Sequence, residues 1–313
     1  MSLLIPNERD HWDAHGDLDQ DVIFFENRDS RNSKVSEYWE FEPVHGFFKQ
    51  SDESTNDMEF NYGLDDFGIE PANWESLVSK LNQLNALASQ DEQYKLLFLA
   101  RHGQGWHNAA HAKYTVEEWH EKWRFLGTDG VIEWGPDANL TSLGIDQAKE
   151  NNQLWKEQLQ KGAPIPTKFY VSPLRRSSYT LKHTWEGIEI PRPHVAENVR
   201  ETIGLHPCHQ RSTKTVISQR FPEFKFGPEF TEHDHLWDQY TPGREKLHEQ
   251  FLRVNLFLET VFENDRDHSI ISITSHAGTI RAFISSIGHR KFTIPTGGMI
   301  PVVVKGRKIV RKE

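Results

Sequence analysis

The sequence predicts an α/β protein with three layers, α/β/α, in which helices cover both faces of a mostly parallel central sheet. From about residue 94 onwards, short runs rich in β-branched and aromatic residues alternate with stretches of helical periodicity. A length of 313 residues allows one large domain or two ordinary ones. The 10 Trp and 19 Phe residues supply enough apolar surface for a sizeable core.

The predicted strands and helices follow one another along this part of the chain. Strands are predicted over Lys95–Ala100, Lys168–Ser172, His194–Val199, Ser269–Ser275 and Met299–Lys305. Helices are predicted over Ser142–Gln160, Leu174–Glu186, Arg244–Asn264 and Ala277–Ile287. Thr141 is an N-cap candidate for the first of these helices, and Gly288 follows the end of the last one.

Residues 1–90 are predicted to be an extension that packs on a catalytic domain over residues 91–313. The extension is acidic and carries scattered aromatic residues, and only Trp74–Ala88 shows a helical period. Two stretches of the domain, about 109–139 and 203–240, lack the alternation of strands and helices. We predict that both are lid insertions, because long loops in compact domains commonly form lids or substrate walls.

Composition excludes several classes of protein. A net charge of -10 argues against a general nucleic-acid binder or a basic protein of the membrane surface. Cys208 is the single cysteine, so no intrachain disulfide can form. The acidic N-terminal segment does not resemble a secretory signal, and no apolar run approaches 18 residues. We therefore expect a cytoplasmic protein, with the nucleus as a second location, that is not secreted; the oligomeric state is left open.

Four polar motifs follow predicted strands. They are Arg101-His102-Gly103, Ser172-Pro173-Leu174-Arg175-Arg176, Arg200-Glu201 and Ser275-His276. Because the carboxyl ends of parallel strands share one edge of a sheet, these side chains are expected to converge. Arginines and helix N-termini suit phosphate, one imidazole can attack phosphorus, and a carboxylic acid can protonate the leaving oxygen. Each motif taken alone also fits a structural role.

Taken together, the motifs resemble those of the histidine phosphatase superfamily, which has the phosphoglycerate mutase-like fold. The resemblance covers about Leu96 to Gly288. Its remaining motif residues are Asn108, which is six residues after His102, and Leu140, Thr141, Gly144, Gln147 and Ala148. In the extension, Tyr38-Trp39-Glu40-Phe41 and His45–Ser51 are similar to segments of fungal phosphomutase-like phosphatases.

The resemblance implies a role for each site residue. His102 would be the nucleophile that forms a phosphohistidine, and Glu201 would donate a proton to the leaving group. The phosphoryl oxygens would be held by Arg101, Asn108, Arg176, His276 and the start of the helix at Ala277. No metal ion and no cofactor would be needed, since arginines and histidines neutralise the charge on phosphate.

The expected function is hydrolysis of small organic phosphate esters, with a mildly acidic optimum and broad specificity. Nucleotides and thiamine-type pyrophosphates are among the candidate substrates. A phosphoglycerate-type mutase is the alternative; it would require 2,3-bisphosphoglycerate and further cationic residues around the pocket. A silent phospholigand-binding regulatory protein is a third reading, but such proteins usually lose the nucleophile or the acid, and this chain keeps both.

Four residues are candidates for substrate specificity: Trp106, His206, His209 and Arg211. In the related fungal phosphatases the acid is followed by Gly-x-His-x-Cys-Asp-x-Arg-Ser, whereas here His209 stands at the Asp position. If His209 lines the pocket, replacement of a carboxylate predicts a shift toward a more anionic or differently shaped leaving group; a surface change without consequence is the alternative. His206, Cys208 and His209 also offer metal-ligand atoms, but no metal is predicted there.

Overall fold

A computed structural model describes residues 2–16 and 19–311, so the last two residues of the predicted catalytic domain lie outside the described residues. Within them, one sheet contains the strands β1 (Glu37–Pro43), β2 (Glu92–Arg101), β3 (Lys168–Val171), β4 (His194–Val195), β5 (Lys225–Phe226), β6 (Ile270–Ser275) and β7 (Met299–Val310). The strand order is β1-β7-β2-β6-β3-β4-β5. Strands β2 to β6 run parallel, and β7 and β1 form an antiparallel edge. The prediction of a mostly parallel sheet is confirmed.

The helices of the described residues lie before, between and after these strands. They are α1 (Glu8–His15), α2 (Asp19–Asn32), α3 (Trp74–Leu87), α4 (Trp106–Lys113), α5 (Val116–Glu121), α6 (Ser142–Gln160), α7 (Arg175–Thr184), α8 (Lys214–Arg220), α9 (His235–Tyr240), α10 (Leu247–Asn264) and α11 (Ala277–Ser286). None of these helices is both long enough and apolar enough to cross a membrane.

Strand β2 lies inside the sheet and is buried on both faces. Leu96 and Phe98 belong to an apolar core with side chains of α3, α6 and α7. Leu97 and Leu99 point to the other face and belong to a core with side chains of α2, α10 and α11. A strand covered on both sides needs apolar residues at successive positions, which explains the continuous apolar run before Arg101. The three-layer arrangement follows from these two cores.

The ends of several elements differ from the prediction. The strand predicted over His194–Val199 stops at Val195, and a 3-10 turn over Glu197–Val199 follows it. Strand β7 continues beyond the predicted Lys305 because its last residues pair with β1, where Glu37 lies opposite Val310. The helix predicted from Arg244 begins at Leu247.

The extension contains more regular structure than the sequence predicts. Besides α3, it forms α1, α2 and β1, and β1 adds an edge strand to the sheet. Its aromatic side chains enter the same core as Leu96 and Phe98. The buried ones are Phe47, Phe48, Tyr62, Phe67 and Trp74. We propose on this basis that residues 1–90 fold as part of the catalytic unit.

Candidate active site

His102 directly follows β2 and is almost completely buried, with 2% of its surface exposed. Arg101 lies opposite Ser275 in the β2–β6 register, and the His102 amide donates to the Ser275 carbonyl at 3.0 Å. This pairing places His102 and His276 side by side, with 5.0 Å between their ring centroids. Two residues 174 positions apart in sequence are therefore brought together by the parallel pairing of two strands.

The hydrogen bonds of His102 leave one ring nitrogen suited to nucleophilic attack. Nδ1 lies 2.7 Å from the Gly103 carbonyl oxygen, so the neutral ring is assigned with its proton on Nδ1, donating to this oxygen. Nε2 then carries the lone pair, 3.2 Å from Nε of Arg176. Burial, together with the charges of Arg176 and Arg101, holds the pKa of His102 well below its usual range. The ring is therefore neutral, as a nucleophile must be.

Arg176 and His276 present unpartnered nitrogens beside His102. Arg176 is fully buried in the first turn of α7, and its Nη1 donates to the Cys208 carbonyl at 2.8 Å. His276 Nε2 lies 2.8 Å from the Ser172 hydroxyl. Among the described residues, Nη2 of Arg176 and Nδ1 of His276 have no hydrogen-bond partner. Because buried polar atoms are nearly always paired, these two nitrogens point to an absent acceptor such as a phosphoryl oxygen.

Two glycines allow the close approach of backbone segments at the site. A Cβ on Gly144, in the first turn of α6, would lie 2.1 Å from the Gln104 carbonyl oxygen. Glycine at this position thus lets α6 pack directly on the turn that follows His102. A Cβ on Gly278 would lie 2.5 Å from Oε1 of Glu201. The missing side chain makes room for the predicted acid against the first turn of α11.

Glu201 is held in this position by two neighbours. Its Oε1 accepts hydrogen bonds from the Thr202 amide at 3.0 Å and from Nε2 of Gln250 at 3.3 Å. Glu201 is half-buried. Burial lowers the pKa of the Arg176 guanidinium, and the charges of Cys208 and Glu201 oppose this effect in part. The structure therefore brings His102, Arg176, Glu201 and His276 into one site.

Arg101 differs from the expectation that its guanidinium holds phosphate with a free fork. Nη1 donates to Oδ1 of Asp10 at 2.6 Å and to the Ile294 carbonyl at 2.7 Å, and Nη2 lies 3.4 Å from Asp13. Only Nε has no partner among the described residues. Helix α1 of the extension therefore covers the site through two carboxylates. No pattern in the sequence indicates this contact, whose partners are 91 and 88 positions away from Arg101.

The other two predicted phosphate ligands lie at helix N-termini. Asn108 Oδ1 accepts from the Gly105 amide at 2.9 Å, so the residue also stabilises the start of α4. Ala277 is the first residue of α11, where backbone N–H groups have no intrahelical acceptor.

His107 is a site residue that sequence reasoning left unassigned. Its ring centroid lies 5.3 Å from that of His102, and its Nδ1 is buried without a partner among the described residues. Burial and the charge of Arg176 hold the pKa of His107 well below its usual range. The neighbouring Trp106, a predicted specificity residue, is 36% exposed at the start of α4. The position of His107 in the first turn after the catalytic strand is the one signal that could have indicated it.

The two predicted insertions contact each other above the site. Trp119 and Trp134 of the first insertion and Cys208 of the second share a small apolar core. The His206 and His209 rings lie 5.2 Å apart, and ligand atoms of these two residues and Cys208 lie within 4.8 Å of one another. The structure thus places two of the predicted specificity residues beside the carbonyl that Arg176 contacts.

Arg211, the fourth predicted specificity residue, is occupied by internal contacts. Its guanidinium pairs with Glu197 and donates to backbone carbonyls of the second insertion, including that of Thr231 at 2.9 Å. Arg200 has a similar role, because both of its terminal nitrogens lie 2.7 Å from carboxylate oxygens of Asp234. Both arginines stabilise the insertion, and the structure does not bring the Arg211 guanidinium to His102.

Comparison with known proteins gives the family. Residues 97–295 match the histidine phosphatase superfamily (branch 1). A probable phosphoglycerate mutase of Arthroderma benhamiae is 35% identical over 285 residues, which are 85% of this chain and 84% of that protein. Phosphomutase-like protein 3 of Candida albicans is 35% identical over 82% of this chain and 78% of its own length.

Among solved structures, the ecdysone phosphate phosphatase of Bombyx mori is similar, with 16% identity and a TM-score of 0.41 over 66% of this chain and 87% of that one. The family match spans all four strand-end motifs, and the two relatives align over most of both chains. The chain belongs to the histidine phosphatase superfamily.

Proposed function

We propose that this protein is a metal-independent phosphatase that hydrolyses phosphate esters of small organic molecules through a phosphohistidine. The observation that carries the proposal is the state of His102, a buried neutral ring with Nδ1 donating to Gly103 and Nε2 facing Arg176. Nε2 attacks phosphorus, and the bond from phosphorus to the leaving oxygen breaks as the N–P bond forms. Glu201 in its acid form gives its proton to that oxygen, so that an alcohol leaves.

In the second step water attacks the phosphohistidine. The Glu201 carboxylate takes a proton from this water, the N–P bond breaks, and its electron pair returns to Nε2 of His102. Inorganic phosphate leaves, and both residues regain their starting states. Nη2 of Arg176 and Nδ1 of His276 are placed to bind phosphoryl oxygens during both steps. Fixed donors of this kind stabilise charge that develops in the transition state without a metal ion.

These roles favour a mildly acidic optimum. The low pKa of His102 keeps the nucleophile neutral when the pH falls below the usual range of histidine. The leaving group in turn needs Glu201 in its protonated form, and protonation of a carboxylate is favoured by acid. Broad specificity, including nucleotides, is part of the same proposal.

A mutase is the second candidate, because the Arthroderma benhamiae relative is named a probable phosphoglycerate mutase. A mutase returns the phosphoryl group to an organic acceptor and depends on a bisphosphorylated cofactor, whereas a phosphatase transfers it to water. The two are distinguished by phosphate release from 3-phosphoglycerate with and without 2,3-bisphosphoglycerate. Interconversion of phosphoglycerates without phosphate release would establish the mutase.

The direct test uses p-nitrophenyl phosphate and the variant His102→Ala. Loss of the nucleophile is expected to lower kcat by about 10⁴-fold or more, since residues that act as one catalytic unit show losses of this order. Acid-quenched wild type should carry phosphate on histidine, and the variant should not. The control is His45→Ala, which removes an exposed histidine of the extension. Equal turnover by His102→Ala and wild type would overturn the proposal.

A further inference from the structure

The lid insertions contain buried nitrogens that the phosphatase mechanism leaves without a partner. Among the described residues these are Nε1 of Trp134 and three nitrogens of charged or titratable side chains, namely Nε of Arg124, Nε2 of His206 and Nδ1 of His209. His209 is only 6% exposed. Buried polar atoms are nearly always satisfied by protein or by a ligand, so a group of such nitrogens in one region needs an explanation. We call Arg124, His206, His209 and Arg244 the lid cluster.

The lid cluster lies next to the catalytic residues. His206 and His209 flank Cys208, whose carbonyl accepts from Nη1 of Arg176 at 2.8 Å. Nε of the same guanidinium lies 3.2 Å from Nε2 of His102. The Arg176 side chain therefore lies between His102 and the backbone segment that carries His206 and His209.

Arg244 connects the lid cluster to the side of the site where the leaving group departs. Its backbone pairs with Gly204, three residues after Glu201, and the next residue donates its amide to the Ile203 carbonyl at 2.9 Å. The Arg244 side chain is exposed and makes no hydrogen bond or ion pair with any residue that the structure describes. The Glu201 charge acts on Arg244, so an arginine without an ion pair to any described residue lies close to the proposed acid and can pair with an anion.

The charges around the histidines favour an anion over a metal cation. Burial and then Arg244 and Arg124 lower the pKa of His206 to about 3. Burial raises the pKa of the Cys208 thiol to about 11, so the thiolate that a metal prefers is disfavoured. Arginines that repel a proton from these rings repel a divalent cation more strongly.

We propose that the lid cluster binds a second anionic group of the substrate, located on the leaving-group side of the phosphoryl group that reaches His102. The inference rests on the proposed phosphatase function and narrows its substrates to compounds with two neighbouring anionic groups. Diphosphate monoesters carry two such groups. His209 then contributes to this subsite, and a carboxylate in its place would repel the second anion.

With a diphosphate, the bond between the terminal phosphorus and the bridging oxygen breaks as Nε2 of His102 bonds to that phosphorus. The bridging oxygen becomes an oxygen of the departing monophosphate, which leaves with the electron pair. The lid cluster, which includes Arg244, stabilises this added charge. The diphosphate reaction therefore depends less on a proton from Glu201 than the reaction of an alkyl monoester does.

The test compares kcat/KM for ADP, AMP and glucose 1,6-bisphosphate in wild type, Arg244→Gln and His209→Asp. Wild type is expected to prefer ADP to AMP. Arg244→Gln should lower the ADP rate about 10-fold or more, the usual size of a lost charge-assisted contact, and change the AMP rate by less than about 2-fold. The control is Arg266→Gln, an exposed arginine at the end of α10. If Arg244→Gln lowers kcat/KM for glucose 1,6-bisphosphate as much as for ADP, the subsite accepts any second phosphate. If kcat/KM for the bisphosphate is unchanged in this variant, the subsite is limited to diphosphates.

Binding separates failure of this inference from failure of the phosphatase proposal. Calorimetry with ADP and AMP on His102→Ala, alone and combined with Arg244→Gln, measures the subsite without turnover. Tighter binding of ADP that is lost on removal of Arg244 supports the lid cluster even if wild type hydrolyses nothing. Equal affinities for ADP and AMP, equal losses of both rates in Arg244→Gln, or Zn²⁺ binding that His206→Gln abolishes would overturn the inference.

Discussion

The Arg176 guanidinium connects two parts of the molecule that are distant in sequence. Nε faces the proposed nucleophile His102, Nη1 donates to the carbonyl of Cys208 in the second insertion, and Nη2 has no hydrogen-bond partner among the described residues. A lysine cannot make these three contacts, because its ammonium lacks the planar fork. The position of the insertion and the charge at the phosphate pocket thus depend on one residue.

Glu201→Gln tests the acid at the level of a single residue. Its effect should depend on the leaving group, because a poor leaving group needs the proton most. For an alkyl phosphate such as glycerol 2-phosphate we expect kcat to fall about 10²- to 10⁴-fold, the usual range of general acid catalysis. For p-nitrophenyl phosphate, whose phenolate leaves readily, the fall in the first step should be much smaller.

The pH dependence provides the second readout of Glu201→Gln. In wild type, kcat/KM for the alkyl phosphate should fall at alkaline pH if its leaving group needs a proton from the enzyme. The variant has no proton to lose and should lack this alkaline decline. Equal losses for both substrates, or a decline that persists in the variant, would assign the acid to another residue.

The sequence predicted the residues of the site better than their contacts. His102, Arg176, Glu201 and His276 each follow a strand of a parallel sheet, so topology alone brought them together. The partners of Arg101 could not be predicted, because Asp10 and Asp13 lie on a short polar helix whose position depends on the ion pair itself. The position of His107 depends on how the chain turns after Gly105, which no period in the sequence encodes.

At the scale of elements, helix α1 has the least obvious relation to the site. Its Asp10 and the Arg101 guanidinium form an ion pair with both side chains buried. Removing one charge of such a pair leaves the other buried without compensation, which is strongly destabilising. A bound phosphate would supply the missing negative charge. We therefore expect phosphate to serve as the counterion of Arg101 when Asp10 has lost its charge.

In the absence of ligand, Asp10→Asn should have a lower Tm than wild type. Inorganic phosphate should raise the Tm of this variant more than it raises that of wild type. The amide keeps the shape of the side chain but removes the charge that balances Arg101. Thermal unfolding with and without about 20 mM phosphate measures the difference, with stabilisation set by ligand concentration over Kd. Glu8→Gln, an exposed change on the same helix, is the control. An equal phosphate-induced gain in Asp10→Asn and wild type would show that the two anions do not compete for Arg101.

Most helices and strands of the catalytic part were predicted, whereas in the extension only helix α3 was. Strand β2 has the continuous apolar run that burial on both faces requires, and helix α6 has the helical period of a helix that packs on the sheet. Strand β1 also had a signal, since Trp39 and Phe41 alternate with glutamates, as on a strand with one apolar face. Helix α1 had none, because its sequence contains a single large apolar residue, Trp12, which is exposed.

At the scale of the whole molecule, burial of the site links catalysis to stability. The pKa values of four histidines are held well below the usual range. They are His102, His107, His209 and His276. Burial is the first cause for each, and neighbouring cationic or imidazole groups add to it. The folded protein thus keeps these rings neutral at a pH at which the unfolded chain protonates them.

The sign of the resulting pH dependence follows from these directions. Unfolded histidines titrate near pH 6.5. Below that pH the unfolded state binds more protons than the folded state, so the free energy of unfolding falls as the pH falls. The stability contribution is fully present above about pH 7.5, and each histidine removes at most about 1.4 kcal/mol per pH unit below 6.5. Burial raises the pKa values of Asp13, Asp137 and Glu259, so the histidine contribution is isolated by comparing wild type with a histidine variant.

Urea unfolding at pH 7.5, 6.5, 5.8 and 5.0 measures this slope. Substitution of one buried ring, His107→Asn, should make the loss of unfolding free energy between pH 6.5 and 5.0 smaller by up to about 2 kcal/mol, because one fewer proton is taken up on unfolding. The exposed His45→Asn should leave the slope unchanged. A free energy of unfolding that stays constant from pH 7.5 to 5.0 would mean that the buried rings accept protons in the folded state. The proposal that His102 is neutral at acidic pH would then be wrong as well. If the slope is found, the burial that keeps His102 reactive at mildly acidic pH also sets the lowest pH at which the fold survives.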